Sequence, residues 1–157
     1  MGRLRRALVA SVLGIALFAT PVGAETGSVD VVFRSPSCTC CLDWMRHMAN
    51  AGFPLEDHVS EDLDAIKVAS GIPSELSSCH TAFIGGYVVE GHVPAHTVQR
   101  LLTEQPTIQG LTAPGMPVGS PGMEMDGVPA DRYDVLAIDW DGRTEVFEHF
   151  GPGSPSS

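Results

Sequence analysis

The sequence predicts an α/β domain whose strands and helices follow the order β-α-β-α-β-β-α, extended by an irregular segment and a C-terminal β-hairpin. Three observations carry this prediction. Short β-branched runs alternate with stretches in which apolar residues recur at helical spacing. The pair Gly85-Gly86 separates two apolar runs at the distance of a tight hairpin. Each helical stretch closes on glycine or proline.

The first strand is Val29, Val31, Val32 and Phe33, ended by Ser35-Pro36-Ser37. From Leu42, the apolar positions Leu42, Met45, Met48, Ala49 and Phe53 interleave with Asp43, Arg46, His47 and Asn50, giving a helix stopped by Gly52 and Pro54. A short extended piece over residues 55–59 leads to Ser60, the expected N-cap of a second helix. Glu61, Asp62 and Asp64 there complement the helix dipole, and Gly71 and Pro73 end the helix. Thr81-Ala82-Phe83-Ile84 and Tyr87-Val88-Val89 flank the diglycine turn, so the sheet becomes antiparallel. Pro94 suits the first turn of a helix through Ala95, Val98, Leu101 and Leu102, closed by Pro106. Residues 106–129, rich in Gly and Pro without helical or strand period, read as one long loop. Tyr133, Val135, residues 136–140, then Asp141-Gly142, then Val146, Phe147 and Phe150 predict a hairpin that extends or covers the sheet.

Arg3, Arg5 and Arg6, the apolar residues 7–19, Pro21 and Val22-Gly23-Ala24 read as a secretory signal peptide cut after Ala24. The apolar run is short against the roughly 20 residues needed to cross a bilayer, so export to a periplasm without stable membrane insertion is expected. The predicted organisation is a signal peptide (1–24), a core (25–105), a Met-containing loop with the terminal hairpin (106–150) and a disordered tail (151–157). Nine Lys and Arg face nineteen Asp and Glu, a formal charge of −10, and the leader holds three of the bases and none of the acids. That balance argues against nucleic acid or anionic lipid as a partner. No Ser-His-Asp order, phosphate loop or dinucleotide-binding glycine motif is present.

The chemistry concentrates in the cysteines. Cys38, Cys40 and Cys41 crowd the first strand-to-helix turn, and Cys79 precedes His80 just before the third strand. In an oxidising compartment such thiols are consumed unless they bind a soft metal or exchange disulfides. A helix N-terminus favours thiolate, and thiolates select Cu(I), zinc or iron–sulfur clusters. Adjacent Cys40 and Cys41 fit a single tetrahedral zinc poorly. Bridging sulfurs tolerate the crowding, so the reading is a polynuclear Cu(I) cluster on Cys38, Cys40, Cys41 and Cys79, closed by His80. Met116 and Met123 are candidates for a secondary soft site that receives or relays copper, whereas Met125 is assigned to packing. His47, His58 and His149 read as solvated, and Pro94 separates His92 from His96, so these two need not share a face. Two alternatives stay open: a pair of inert disulfides, or a thiol-disulfide oxidoreductase with Cys38 as nucleophile and Cys41 as resolving thiol.

The element order, with Cys38-Thr39-Cys40-Cys41 opening the first long helix, resembles the thioredoxin fold. There the facing loop carries a cis-proline followed by threonine; His80-Thr81 stands in its place here. Cys38-x-Cys40-Cys41, Cys79-His80 and the run Gly115-Met116-Pro117-Val118-Gly119-Ser120-Pro121-Gly122-Met123-Glu124 together resemble the CopG-like copper-resistance family, over nearly all of residues 29–150. The resemblance implies a periplasmic, thioredoxin-like protein that binds a small copper cluster through these cysteines and interconverts Cu(I) and Cu(II), which would make it a copper oxidoreductase. It further implies copper ions as ligands and other periplasmic copper carriers or exporters as partners. No catalytic residue is assigned from the sequence.

Overall fold

The computed structural model describes residues 29–153; the expected signal peptide and the end of the expected tail lie outside the described residues. The described residues form a mixed α/β fold with one seven-stranded sheet and three helices. In chain order the elements are β1 (Val31–Arg34), α1 (Thr39–Asn50), β2 (Glu56–Val59), α2 (Leu63–Ala69), a 3₁₀ turn (Ser74–Leu76), β3 (His80–Ile84), β4 (Tyr87–Gly91), α3 (Ala95–Glu104), β5 (Gly110–Ala113), β6 (Tyr133–Ile138) and β7 (Thr144–Phe150). The strands lie side by side as β2-β1-β3-β4-β5-β6-β7. β1 runs parallel to β2 and β4 parallel to β5, and every other neighbouring pair is antiparallel. Among the described residues no helix is long and apolar enough to cross a membrane.

Alternation along the strands divides the core between the two faces. Val32, Ala82, Ile84, Val89, Leu111 and Ala137 meet Trp44 and Met48 of α1 and Val98 and Leu101 of α3. Their neighbours Phe83, Val88 and Ile138 turn the other way, against Ile72 and Leu76 beyond α2. At the diglycine turn Gly85 and Gly86 take φ of 56° and 87°, which a two-residue hairpin loop requires.

Three expectations are corrected. α1 begins at Thr39, so Cys38 is its N-cap while Cys40 and Cys41 are helical rather than part of a turn. The second helix is capped by Asp62, whose carboxylate accepts the Ala65 N–H at 3.0 Å, and Ser60 instead accepts from Asp62 N–H. Most consequentially, residues 106–129 are not one loop. Gly110–Ala113 forms β5, an inner strand buried at every position, and therefore lacking the alternation that marks a half-exposed strand. The terminal hairpin β6–β7 extends the sheet through β5.

Pro94 is the N-cap of α3 and offers no side-chain cap; His47 of α1 supplies one, its Nε2 accepting the Ala95 N–H at 3.0 Å. His47 is thus half-buried rather than solvated, and burial lowers its pKa below 6.5. A lowered histidine pKa means the unfolded chain binds more protons, so this contribution is full above the unfolded pKa and is lost as pH falls through the folded one. The urea midpoint is expected to fall as pH drops below about 6.5. His47→Gln, which keeps an acceptor but does not titrate, should flatten that fall; an unchanged slope would rule out the role.

Candidate metal centre

The site lies at one end of the sheet, where β1 ends, β3 begins and β4 ends. Cys38 and the first turn of α1 follow β1, Cys79 and His80 open β3, and His92 follows Gly91 of β4. Cys40 and Cys41 project from successive helical positions, and Cys79 sits between them, its Sγ 3.9 Å from Cys40 Sγ and 3.5 Å from Cys41 Sγ. Cys38 Sγ is 3.5 Å from Cys40 Sγ. Cys38 and Cys41 are joined as a disulfide with their Cα atoms 5.5 Å apart, and Cys40 and Cys79 are free. Of the four, only Cys41 is fully buried.

Two imidazoles complete the cluster. His80 Nδ1 lies 3.3 Å and His92 Nε2 2.9 Å from Cys79 Sγ. Both rings are fully buried and meet edge to face with centroids 5.0 Å apart, while the Trp44 indole covers His80 at 4.2 Å. Trp44 is fixed by donating its Nε1–H to the Val93 carbonyl at 2.8 Å. The Pro121 carbonyl, 2.8 Å from His92 Nδ1, can only accept, so Nδ1 carries the proton and Nε2 presents its lone pair to Cys79. His80 Nε2 is the one buried side-chain polar atom without a partner among the described residues.

The donor atoms form two groups, Cys38/Cys40/Cys41/Cys79 and Cys79/His80/His92, each within 4.8 Å, and Cys79 belongs to both. The expected residues Cys38, Cys40, Cys41, Cys79 and His80 are therefore brought together. His92, which the sequence reading did not set beside the cysteines, joins them, whereas His96 is exposed near Glu148. Burial sets the protonation. Desolvation, followed by the facing Cys40 thiol, pushes Cys79 up to about 12. His80 is held well below its ordinary value by burial, then by His92 and Lys67. Burial lowers His92 against the opposing pull of Pro121 and Glu124. The imidazoles are neutral donors at neutral pH, and Cys79 must release a proton to ligate.

Behind the cluster, the fully buried Glu90 carboxylate receives Lys67 Nζ, the Ser78 N–H at 2.6 Å and the Thr81 hydroxyl at 2.6 Å. Lys67 also donates to Thr81 Oγ1 at 3.0 Å, so the residues on either side of Cys79-His80 are tied to one buried ion pair. Lys67→Met would leave the carboxylate without its counter-charge, at an expected cost of about 3–5 kcal/mol in urea unfolding. A loss below about 1 kcal/mol would put the pair in the class of exposed bridges.

In front, residues 114–131 close over the cluster. Ser78 Oγ donates to the Gly115 carbonyl. Gly122, at φ +84°, approaches α1 so closely that a Cβ there would lie 2.7 Å from Trp44 N and 2.9 Å from Cys40 O. Met116 and Met123 each follow one of these anchors, the former exposed and the latter half-buried. Gly122→Ala should destabilise the fold by about 1–3 kcal/mol and speed alkylation of Cys40, measured by thiol labelling. Unchanged stability and labelling would mean that the loop does not rest on α1.

This fold and site define a class: an α/β domain carrying a cysteine–histidine donor cluster where a helix N-terminus meets the facing β-hairpin. A family model described as a protein of unknown function, DUF411, matches residues 76–123. Two solved structures of copper resistance protein CopG, forms 1 and 2, are both 41% identical to the chain. Form 1 has a TM-score of 0.74 over 79% of this chain and 98% of that one, and form 2 a TM-score of 0.73 over 78% and 97%. No curated protein matches. The chain belongs to the CopG-like copper-resistance family.

Proposed function

We propose that the protein handles copper in the periplasm, holding Cu(I) in a thiolate cluster on Cys38, Cys40, Cys41 and Cys79 with His80 and His92 as imidazole ligands. The observation that carries this reading is the shared position of Cys79. One sulfur common to a four-sulfur group and a sulfur–diimidazole group suits bridging between metal ions, and His80 Nε2 is a buried ring nitrogen without a hydrogen-bond partner. The names of the two CopG structures and the expected signal peptide support copper as cargo and export as the route. The sheet order β2-β1-β3-β4, with α1 and α3 on one face and α2 on the other, supports a thioredoxin-like core. Met116 and Met123 would offer thioethers at the mouth of the site to receive copper from a periplasmic carrier or pass it to an exporter.

The redox part follows from the Cys38–Cys41 pair. Two Cu(II) ions each take one electron from the two thiolates, giving two Cu(I) ions and one disulfide, and the reverse direction consumes the disulfide. The same disulfide favours a second reading, a thiol-disulfide oxidoreductase acting through Cys38 on protein substrates. Anaerobic titration of the reduced chain with Cu(I) against a competing chelator separates them. More than one tightly held copper per chain with all thiols protected is expected, and Cys40→Ala should lower that stoichiometry while leaving insulin reduction low. Full copper loading in Cys40→Ala would sink the cluster reading, and rapid insulin reduction without tight copper binding would establish the oxidoreductase.

A further inference from the structure

The segment that closes over the metal centre holds its own shape. Asp131 N–H donates to the Val118 carbonyl at 2.9 Å, Val118 N–H to the Asp131 carboxylate at 2.8 Å, Gly119 N–H to the Met123 carbonyl at 2.9 Å and Gly122 N–H to the Glu124 carboxylate at 2.8 Å. Ser120 and Pro121 are buried beneath it. The large apolar side chains stay outside. Met116, Met125 and Val128 are 54%, 55% and 47% exposed, and Leu42 stands exposed in the α1 turn on which Gly122 rests. Met125, expected to pack, is thus held out to solvent by a tied backbone, with Val128 N–H bonded to its carbonyl at 3.1 Å. Apolar side chains presented on an ordered segment rimmed by polar groups mark an interaction surface, and methionine adapts to a partner's contours.

Charge selects the occupant. Residues 114–131 carry Glu124, Asp126 and Asp131 and no Lys, Arg or His, within a chain of formal charge −10. A second copy, a nucleic acid or an anionic lipid surface would meet like charge here, whereas a basic protein face is attracted. The surface also stands at the mouth of the site. Met116 follows Gly115, whose N–H donates to the Ser77 carbonyl at 2.9 Å and whose carbonyl accepts from Ser78, the residue before Cys79.

We propose that this face docks a copper-carrying protein whose Cu(I) is held by soft sulfur ligands within a Lys- or Arg-rich rim, and that Met125, Val128 and Asp126 belong to the contact. The proposal rests on the copper reading and names the chemistry of the partner. Four apolar side chains fall short of the roughly 1,200–2,000 Å² buried in a stable complex, so the encounter is brief and its rate is set by charge. Brevity suits transfer: Cu(I) exchanges the partner's sulfurs for those of the cluster without changing oxidation state, and the emptied partner leaves.

The test mixes the full chain, reduced and metal-free, anaerobically with Cu(I) held on one of two synthetic peptides. Both contain a Met-x-x-Met-x-x-Met segment, flanked by lysines in one and by glutamates in the other. Stopped-flow absorption of the Cu(I)–thiolate bonds follows uptake. At low salt the lysine peptide should load the chain about tenfold faster, and the difference should shrink to within about twofold at roughly 1 M salt, where the Debye length falls to about 3 Å. Met125→Ser combined with Val128→Ser, and Asp126→Lys in a separate chain, should each slow loading from the lysine peptide by about fivefold. Cu(I) supplied as its acetonitrile complex needs no docking and should enter every variant at the wild-type rate and stoichiometry. Equal rates from the two peptides, or variants that load from the lysine peptide as fast as the wild type, would overturn the docking face and leave the copper reading standing. A wild-type chain that takes no Cu(I) even from the acetonitrile complex would overturn the copper reading, and this proposal with it.

Discussion

The buried carboxylate of Glu90 is the constraint on which the site depends. It stands on β4, fully enclosed, and gathers the Lys67 ammonium from α2, the Thr81 hydroxyl from β3 and the backbone N–H of Ser78. A buried charge is tolerated only when its lone pairs and its counter-charge are satisfied together, so these elements hold one another in a fixed relation. Cys79 and His80 lie between two of the tied residues. Their distances to the α1 cysteines are therefore set by an ion pair beneath the sheet end rather than by contacts among the sulfurs.

The opposite wall is made of backbone. Pro121 offers its carbonyl to His92, Gly115 accepts from Ser78, and Gly122 rests on the first turn of α1. This explains the composition of the segment. Carbonyl groups that must reach buried donors, and a chain that must approach a helix without a Cβ between them, call for glycine and proline in place of a regular element. The loop fixes the His92 tautomer while enclosing the thiols, so orientation and desolvation come from the same residues.

Desolvation then sets the protonation of the site. The raised Cys79 pKa and the lowered His80 and His92 values all have burial as their largest cause. Each group is held neutral, so the cluster stores no unpaired charge, and Cys79 would have to release its proton before it could ligate a metal. The crowding that made adjacent Cys40 and Cys41 look awkward is resolved by their facing one shared neighbour rather than each other.

The sequence by itself determined where the cysteines gather, the helix at Cys38, the diglycine hairpin and the terminal hairpin, because each is encoded in local spacing or turn residues. Much of the His92 placement was also legible: the turn pairs Ile84 with Tyr87 and Thr81 with Glu90, and the same register carried two steps further sets Cys79 opposite His92. Pro94 drew attention to the helix that follows and away from that count. β5 was hidden for a different reason, since Gly110–Ala113 is buried on both faces and has no alternation to read. Only the tertiary structure decided that Lys67 and Glu90 form an interior pair and that Pro121 orients His92. Those contacts join residues 23 and 29 positions apart in the chain, and nothing in the local pattern of either partner distinguishes it from a surface charge or a loop residue.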